Sequence, residues 1–296
     1  MAEKRRASAG SFIAALLLLL AGNFLFAQDV FAQDNAQDDS KDGEIHWYKN
    51  LEEAVAAALQ TNQPILIDFW ADWCGPCKIM DAEVYTNPAL VAVFREKMIG
   101  VRIHFDLQPE VARKYDVPAL PYLVFTNSNG TELLTHRGLL EAQDMTTVIN
   151  AFPADLTEIN RLDRILQEDK NHFPAMRDMG ERLREIGFYK ASSDYFERAL
   201  RHNDAKKDAV QREPILYSMA LNSLALQDGN AAASALERCL KEFPKSARRP
   251  DFLLGLGRAY LLKEDPKKAK RSLDALVREF PQSPAAQAAR ELLSTL

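Results

Sequence analysis

Apolar residues follow two different patterns along this chain, and the change comes near residue 153. Before it, short apolar runs bounded by turn residues predict four strands: ILIDFW (65–70), MIGVRIHF (98–105), YLVF (122–125) and ELLTHR (132–137). Helical patterns lie before, between and after these strands, and the first is predicted to run from a cap at Asn50 through Gln60. Because the first strand is apolar on both faces apart from Asp68, it is expected to be central. The order of elements predicts an α/β sandwich around a mixed sheet over residues 45–152.

Beyond Pro153 the strand pattern stops, and apolar residues recur at helical spacing. The first such helix has four apolar residues on one face: Leu156, Ile159, Leu162 and Leu166. Asp155 and Glu158 are spaced as a capping box at its start. The pattern predicts a connecting helix within residues 153–172 that packs on a neighbour, followed by an all-helical domain over residues 173–296.

Residues 173–296 contain three units of similar pattern. The last unit has the spacing of a tetratricopeptide repeat at these residues: Leu253, Leu256, Gly257, Tyr260, Ala269 and Pro281. Two looser units begin near Met176 and Leu216. The segment therefore resembles a tetratricopeptide-repeat domain closed by the capping helix SPAAQAARELLSTL, which implies that it binds a protein partner. A plain helical domain is the alternative.

The first 32 residues have the three-part layout of a secretory signal. A basic run at positions 4–6 precedes the apolar stretch FIAALLLLLAGNFLF, and small residues follow at Ala27 and Ala32. Because the stretch is short for a spanning helix, cleavage is favoured over an uncleaved membrane anchor. The sequence thus predicts a periplasmic or otherwise exported protein, with the acidic residues 33–44 as a flexible tether.

Composition narrows the class of protein further. The chain has 296 residues, of which 47% are hydrophobic and 27% charged, and this is typical of a soluble globular protein with room for two domains. The net charge of -5 gives no attraction to nucleic acid. Three cysteines are too few for a disulfide framework in a protein of this size.

Cys74 and Cys77 lie in DFWADWCGPCK, where a strand turns into a helix. A thiol reacts as the thiolate, and an ordinary cysteine with a pKa of about 8.5 is mostly protonated at neutral pH. The first turn of a helix stabilises an anion through unpaired N–H groups and the helix dipole. Cys74 is therefore predicted to be an exposed attacking thiol with Cys77 beneath it, while Gly75 and Pro76 permit and stiffen the turn.

Asp68 strengthens the prediction of redox chemistry. It shares a strand face with Leu66 and Trp70, so its carboxyl should be desolvated, with a raised pKa suited to proton transfer with Cys77.

Two other roles for the Cys74–Cys77 pair fit the sequence poorly. A zinc site would need two more ligands, and the five histidines are dispersed. A purely structural Cys74–Cys77 bridge closes too short a loop to stabilise much. Cys239, at a small-residue position between repeat helices, is predicted to be a buried and inert thiol.

The segment ILIDFWADWCGPCK resembles the active-site segment of thioredoxins nearly residue for residue. The resemblance implies a thioredoxin fold in which Cys74 attacks, Cys77 resolves and Asp68 is the buried acid. It identifies Pro121, in VPALPYLVF, with a cis-proline that faces the cysteines. It implies no cofactor beyond the redox-active Cys74–Cys77 disulfide and no metal. The implied substrate-binding residues are Trp73, Gly75, Pro76, Leu120 and Pro121.

Residues 80–106 are more similar to the periplasmic thioredoxin-like domain of membrane-bound disulfide reductases. Two positions depart from the thioredoxin pattern. Arg102 occupies a position where a lysine is usual, and Tyr122 occupies one where a threonine is usual. The combined resemblance implies an exported oxidoreductase that reduces or exchanges protein disulfides. The Gly75–Pro76 dipeptide favours reduction and an oxidising compartment favours oxidation, so the sequence leaves the direction open. Its expected partners are disulfide-containing envelope proteins and a membrane-embedded electron donor. The alternative is a non-catalytic envelope adaptor.

Overall fold

The computed structural model describes residues 43–153 and 155–296. The predicted signal at 1–32 and almost all of the predicted tether lie outside these residues, so both stay predictions. Within the described ranges, no helix combines the length and the apolar character needed to cross a bilayer.

Five strands form one mixed sheet in the order β1-β3-β2-β4-β5. Their bounds are β1 (Trp47–Tyr48), β2 (Ile65–Trp70), β3 (Ile99–His104), β4 (Tyr122–Thr126) and β5 (Glu132–Arg137). The central strand β2 runs parallel to β3 and antiparallel to β4. All four predicted strands are confirmed, whereas β1 was not predicted because two residues carry no periodicity.

Five α-helices accompany the sheet: α1 (Leu51–Thr61), α2 (Gly75–Ile79), α3 (Pro88–Lys97), α4 (Pro109–Lys114) and α5 (Ala142–Ala151). A π-helix, Met80–Val84, continues α2. Asn50 caps α1 as predicted, because its side chain accepts hydrogen bonds from the N–H groups of Glu52 and Glu53. One sheet face packs on α1 and α4 and the other on α3 and α5, so the predicted α/β sandwich is confirmed.

The chain from residue 155 onward is helical, as predicted. Its helices are α6 (Thr157–Glu168), α7 (Phe173–Glu185), α8 (Tyr189–Arg201), α9 (Asn203–Lys207), α10 (Ala209–Ala225), α11 (Gly229–Glu242), α12 (Arg249–Leu262), α13 (Pro266–Glu279) and α14 (Pro284–Leu293). The pairs α7 with α8, α10 with α11 and α12 with α13 pack against each other. A Cβ added at Gly257 would lie 2.5 Å from Leu273, so the small residue there lets the paired helices approach closely.

The predicted capping box of α6 is only half present. Asp155 accepts a hydrogen bond from the Thr157 N–H at 2.8 Å, but Glu158 pairs with Arg161 at 2.6 Å. A bidentate arginine partner one helical turn away satisfies the Glu158 carboxylate, so the carboxylate does not turn back to the helix start.

The sheet and the helices beyond it share one apolar cluster. The rings of Phe125 and Phe152 are 6.0 Å apart, and those of Phe152 and Phe188 are 4.7 Å apart. These three rings therefore form a continuous series of contacts from β4 to the start of α8. Because these rings are buried together, the two parts cannot move independently without exposing apolar surface.

A buried polar network reinforces the same junction. The Asn160 amide on α6 donates to Asn62 Oδ1 at 2.6 Å and to Ser128 Oγ at 2.9 Å. Asp163, one turn later, accepts from the Asn129 amide at 2.8 Å. Asn62 and Ser128 lie where β2 begins and β4 ends, so α6 is attached at the end of the sheet opposite the cysteines.

Candidate active site

Cys74 and Cys77 lie directly after the carboxyl end of the central strand. Cys74 is the N-cap of α2, and its sulfur accepts a hydrogen bond from the Cys77 N–H at 3.2 Å. The two sulfurs form a disulfide with an S–S distance of 2.02 Å. Pro76 occupies the first turn, where its missing N–H leaves no helical bond unmade. The predicted position of Cys74 at a helix start is therefore confirmed.

The prediction that Cys74 is exposed is wrong for this disulfide form. Cys74 and Cys77 are each 2% exposed. In this form the Cys74 sulfur is bonded to Cys77 and accepts the Cys77 N–H at 3.2 Å, so it lies against the first turn of α2. Exposed residues surround it instead, with Trp73 at 65% exposure and Gly75 and Pro76 also at the surface.

Asp68 lies on β2 and is 1% exposed, as predicted from its position in an apolar strand. Its burial raises its pKa to about 6, and the opposing effects of Arg102 and Tyr85 do not cancel the desolvation. Asp81 adds to the upward shift of the pKa by like-charge repulsion. A carboxyl with this pKa exchanges a proton readily near neutral pH, although its partnership with Cys77 stays a prediction.

Arg102 joins two acids. Its Nε lies 3.0 Å from Asp68 Oδ2, and its Nη1 lies 2.9 Å from Asp81 Oδ1. The guanidinium carbon also lies 4.6 Å from the centre of the Trp70 ring and 5.8 Å from that of Tyr85. A planar guanidinium can make these contacts together, whereas a lysine ammonium is a single point charge. Arginine at this position therefore joins two acids and two aromatic rings, which a lysine could not contact at the same time.

Three polar atoms beside this ion pair are buried without a standard hydrogen bond among the described residues: Asp68 Oδ1, Tyr85 Oη and Arg102 Nη2. The Tyr85 hydroxyl is nonetheless near enough to Asp68 to lower the pKa of that carboxyl. Burial, followed by the charge of Asp68, raises the pKa of Tyr85 well above its usual range, so Tyr85 is a neutral donor. Most buried polar groups have a well-formed hydrogen bond, so the incomplete pairing around Asp68 sets this part of the described structure apart.

The Leu120–Pro121 peptide bond is cis, as the sequence resemblance led us to expect. Pro121 leads into β4, whose residue Tyr122 pairs with Phe69 near the carboxyl end of β2. The cis bond therefore lies at the same end of the sheet as Cys74. Contact of Leu120 and Pro121 with a partner stays a prediction.

Two loops meet next to Cys74. The Trp73 indole Nε1 donates a hydrogen bond to Asp106 Oδ2 at 2.7 Å, and His104 Nε2 lies 3.3 Å from Asp72 Oδ2. The end of β3 and the loop after it thus contact the two residues that precede Cys74. Nothing in the sequence pattern indicates Asp106 or His104, because both contacts depend on the parallel pairing of β2 with β3.

Cys239 lies in α11 with no exposed surface, so the predicted burial of its thiol is confirmed. Burial raises the pKa of this thiol to about 12, and so it is protonated at neutral pH. Within residues 43–153 and 155–296, no three His, Cys, Asp or Glu side chains form a group that could hold a metal ion.

Comparison with known proteins assigns both parts of the chain. Residues 46–128 match the thioredoxin-like family model, and residues 223–293 match a tetratricopeptide-repeat model. Thioredoxin 1 of Chlorobaculum tepidum is 41% identical over 61 residues, which are 21% of this chain and 57% of that protein. The thioredoxin of Griffithsia pacifica is 28% identical over 110 residues, which are 37% of this chain and 84% of that protein.

Among solved structures, a thioredoxin from Thermus thermophilus is 21% identical with a TM-score of 0.34, covering 36% of this chain and 85% of its own. The two family models show that the chain carries a thioredoxin-like domain and a C-terminal tetratricopeptide-repeat domain. The predicted combination of a thioredoxin fold with helical repeats is confirmed.

Proposed function

We propose that this protein is an exported thiol–disulfide oxidoreductase that reduces or exchanges disulfides in envelope proteins. The observation that carries the proposal is the Cys74–Cys77 disulfide at a helix start, directly after the strand on which Asp68 is buried. The similarity of this domain to thioredoxins supports the same reaction class.

The reaction begins with the reduced pair. The Cys74 thiolate attacks one sulfur of a partner's disulfide, and that S–S bond breaks as a mixed disulfide with Cys74 forms. The first partner sulfur leaves as a thiolate and takes up a proton. Cys77 then loses its proton and displaces the second partner sulfur, which leaves as a thiolate and takes up the second proton. The partner gains two electrons and two protons, and the Cys74–Cys77 disulfide forms.

Asp68 is the group we assign to the proton of Cys77. With a pKa of about 6, it is largely ionised at neutral pH and can accept the proton, yet it holds a proton more readily than an exposed carboxyl does. Arg102 fixes the orientation of the carboxylate through its contact at 3.0 Å. No cofactor enters these steps, since the electrons come from the two thiols.

A reductant that works outside the cytoplasm must be reduced again after each turnover. We propose a membrane-embedded dithiol donor, because an oxidising compartment supplies no thiol pool for this purpose. Export is supported by the signal-like pattern of the first 32 residues, and the reducing direction by the Gly75–Pro76 dipeptide.

The helical repeats are assigned to partner recruitment. They are joined to the thioredoxin-like domain through α6, at the end of the sheet opposite Cys74. This attachment leaves the cysteine end open to a second protein. The repeats therefore act as a fixed docking element rather than as a cover for the active site.

The test is covalent trapping with the Cys77→Ser variant, in which Cys74 can attack but the mixed disulfide is not resolved. We expect partners bound through Cys74 that are released by dithiothreitol, and none with the Cys74→Ser, Cys77→Ser double variant. A non-catalytic adaptor would retain the same proteins with both variants and independently of reductant. That result would overturn the proposed activity.

A further inference from the structure

Tyr85 carries a hydroxyl in the interior of the thioredoxin-like domain. The residue is 7% exposed, and its Oη is buried without a standard hydrogen bond among the described residues. The contacts of its ring with apolar neighbours do not require the oxygen, so a phenylalanine would serve the core equally well. A hydroxyl removed from water costs free energy unless a polar group compensates it. The purpose of this oxygen is therefore to be sought in a polar neighbour.

Two unusual elements fix the position of the Tyr85 ring. The residue directly follows the π-helix, and its N–H donates to the Met80 carbonyl at 2.9 Å. Its ring lies 4.9 Å from the ring of Trp47 on the two-residue strand β1, in an edge-to-face arrangement. Trp47 in turn packs closely on Gly100 of β3, where an added Cβ would lie 2.8 Å from the indole. A π-helix next to an α-helix is frequent at functional sites, which agrees with a functional use of Tyr85.

The polar neighbour of the Tyr85 hydroxyl is Asp68. Arg102 Nε binds Asp68 Oδ2 at 3.0 Å, whereas Asp68 Oδ1 is buried without a standard hydrogen bond among the described residues. One buried donor and one buried acceptor thus remain in the same cluster. Burial raises the pKa of Asp68, and Arg102 and then the hydrogen bond from Tyr85 lower it.

The charges around Tyr85 determine what its hydroxyl can do. They are Asp68 on β2, Arg102 on β3 and Asp81 on the π-helix, while β1 contributes the uncharged ring of Trp47. Burial and then the charge of Asp68 raise the pKa of Tyr85 well above its usual range, so the hydroxyl keeps its proton at neutral pH. It can therefore donate to an ionised carboxylate, but it cannot replace Asp68 as a base.

We infer that Tyr85 is a positioning residue for the resolving step: its hydroxyl donates to Asp68 and holds the carboxylate ionised and oriented to take the proton of Cys77. The inference rests on the proposed function, because it assigns Tyr85 a role in that reaction. Arg102 supplies a permanent charge, and Tyr85 adds a directed neutral donor that keeps its own proton. Catalytic hydrogen bonds are often poorly aligned outside the reacting complex, which agrees with the incomplete contact in this disulfide form.

The first test is Tyr85→Phe, which removes one oxygen and keeps the ring. The reduced full-length protein is mixed with bis(2-hydroxyethyl) disulfide and quenched with acid at set times. Mass spectrometry then follows the mixed disulfide, whose formation measures the attack by Cys74 and whose decay measures the resolution by Cys77. Both rates are recorded from pH 5 to pH 8.

We expect Tyr85→Phe to move the midpoint of the pH profile of the resolving step upward by about one pH unit, as for the loss of one hydrogen bond to a charged group. The ratio of wild-type to variant resolving rates should then fall about fivefold from pH 6 to pH 8, because the carboxyl is mostly ionised in both proteins at the higher pH. The rate of attack by Cys74 should change far less, since Asp68 takes its proton from Cys77.

Tyr115→Phe is the matched control. Tyr115 is also buried, and its hydroxyl donates to the Gly130 carbonyl at 2.8 Å. It belongs to the apolar cluster on the sheet face that packs on α1 and α4. Its replacement removes one hydrogen bond that does not involve Asp68, so the midpoint should stay at the wild-type pH. A purely structural role of Tyr85 would leave the midpoint unchanged in both variants.

A second measurement needs no variant. In wild-type protein labelled with ¹³C at the tyrosine Cζ atoms, the Tyr85 signal should move as Asp68 titrates around its pKa of about 6, while the Tyr115 signal stays constant. A Tyr85 signal that does not respond, or an unchanged midpoint in Tyr85→Phe, would overturn the inference and leave the proposed function intact. Failure of the wild-type protein to reduce bis(2-hydroxyethyl) disulfide would instead overturn the proposed function itself.

Discussion

Arg102 lies directly opposite Asp68 in the parallel pairing of β3 with β2, and its Nε is 3.0 Å from Asp68 Oδ2. The strand register therefore brings a permanent positive charge to the buried acid. Desolvation raises the pKa of Asp68, and Arg102 and Tyr85 are the two groups that lower it. Without Arg102, only the hydrogen bond from Tyr85 would oppose the effect of desolvation. The pKa of the Asp68 carboxyl thus depends on the pairing of β2 with β3.

Replacing Arg102 with glutamine should raise the pKa of Asp68 above its value of about 6, because Arg102 lowers that pKa through its charge and its hydrogen bond. The measurement is the pH titration of the Asp68 carboxyl carbon by NMR in the reduced protein. Arg102→Lys, which keeps the charge but not the second contact to Asp81, should give a smaller rise. An unchanged titration in Arg102→Gln would contradict the assigned role.

Replacing Asp68 with asparagine should stabilise the protein at pH 8. The folded pKa is raised from 3.8 to about 6, so the folded state binds the proton more tightly than the unfolded state. Stability is then greatest below the unfolded pKa and falls as the pH rises toward the folded pKa. Asparagine should therefore increase the free energy of unfolding by up to about 3 kcal/mol at pH 8, and change it little below pH 4. It should also slow the resolution of mixed disulfides by Cys77.

The check is the free energy of unfolding in urea at both pH values for the wild-type and Asp68→Asn proteins. Leu59→Ser serves as a control for substitutions in the same domain that change no titratable group. A gain of equal size at both pH values would show that proton binding is not its cause.

Iodoacetamide should label the reduced protein at Cys74 and not at Cys239. Cys74 stands at a helix start that favours the thiolate, whereas Cys239 has no exposed surface and a pKa raised to about 12. Mass spectrometry of the peptides over time measures both rates. Cys239 should react only after unfolding, and labelling of Cys74 no faster than that of free cysteine would argue against a catalytic thiol.

The reduction potential of the Cys74–Cys77 pair should lie near the reducing end of such dithiols. Known values extend from about -270 mV for reducing thioredoxins to about -120 mV for a strong oxidant. The Gly75–Pro76 dipeptide resembles the reducing kind, so we expect a potential closer to -270 mV. Equilibration of the pure protein in glutathione buffers measures it, and a value near the oxidising end would reverse the proposed direction.

Asn160→Ala should destabilise the whole protein by about 2 kcal/mol, because it removes the hydrogen bonds of Asn160 to the buried Ser128 and the half-buried Asn62. Unfolding should remain one cooperative transition, since both parts share an apolar cluster. Urea unfolding followed by circular dichroism measures the loss of stability and the number of transitions. Asn171→Ala, at an exposed position, is the matched control, and two separate transitions would contradict a shared core.

Much of the fold could be predicted because it depends on local pattern. The strand ILIDFW, the cap at Asn50 and the helix start at Cys74 are all set by residues within a few positions of one another. The cysteine pair itself is three residues apart, so one helical turn brings the sulfurs together. The short strand β1 and the bent continuation of α2 as a π-helix carry no such pattern.

The sequence by itself determined the order of elements, the redox motif and the desolvation of Asp68, because periodicity and spacing act over a few residues. Tertiary structure alone decided the contacts of Arg102 with Asp68, of Trp73 with Asp106 and of Asn160 with Asn62, which join residues 34, 33 and 98 positions apart. Such pairs form only when strand register and loop packing have placed both side chains. The physical reason is that each hydrogen bond requires two atoms within about 3 Å, and only the complete fold brings atoms so distant in sequence to that separation.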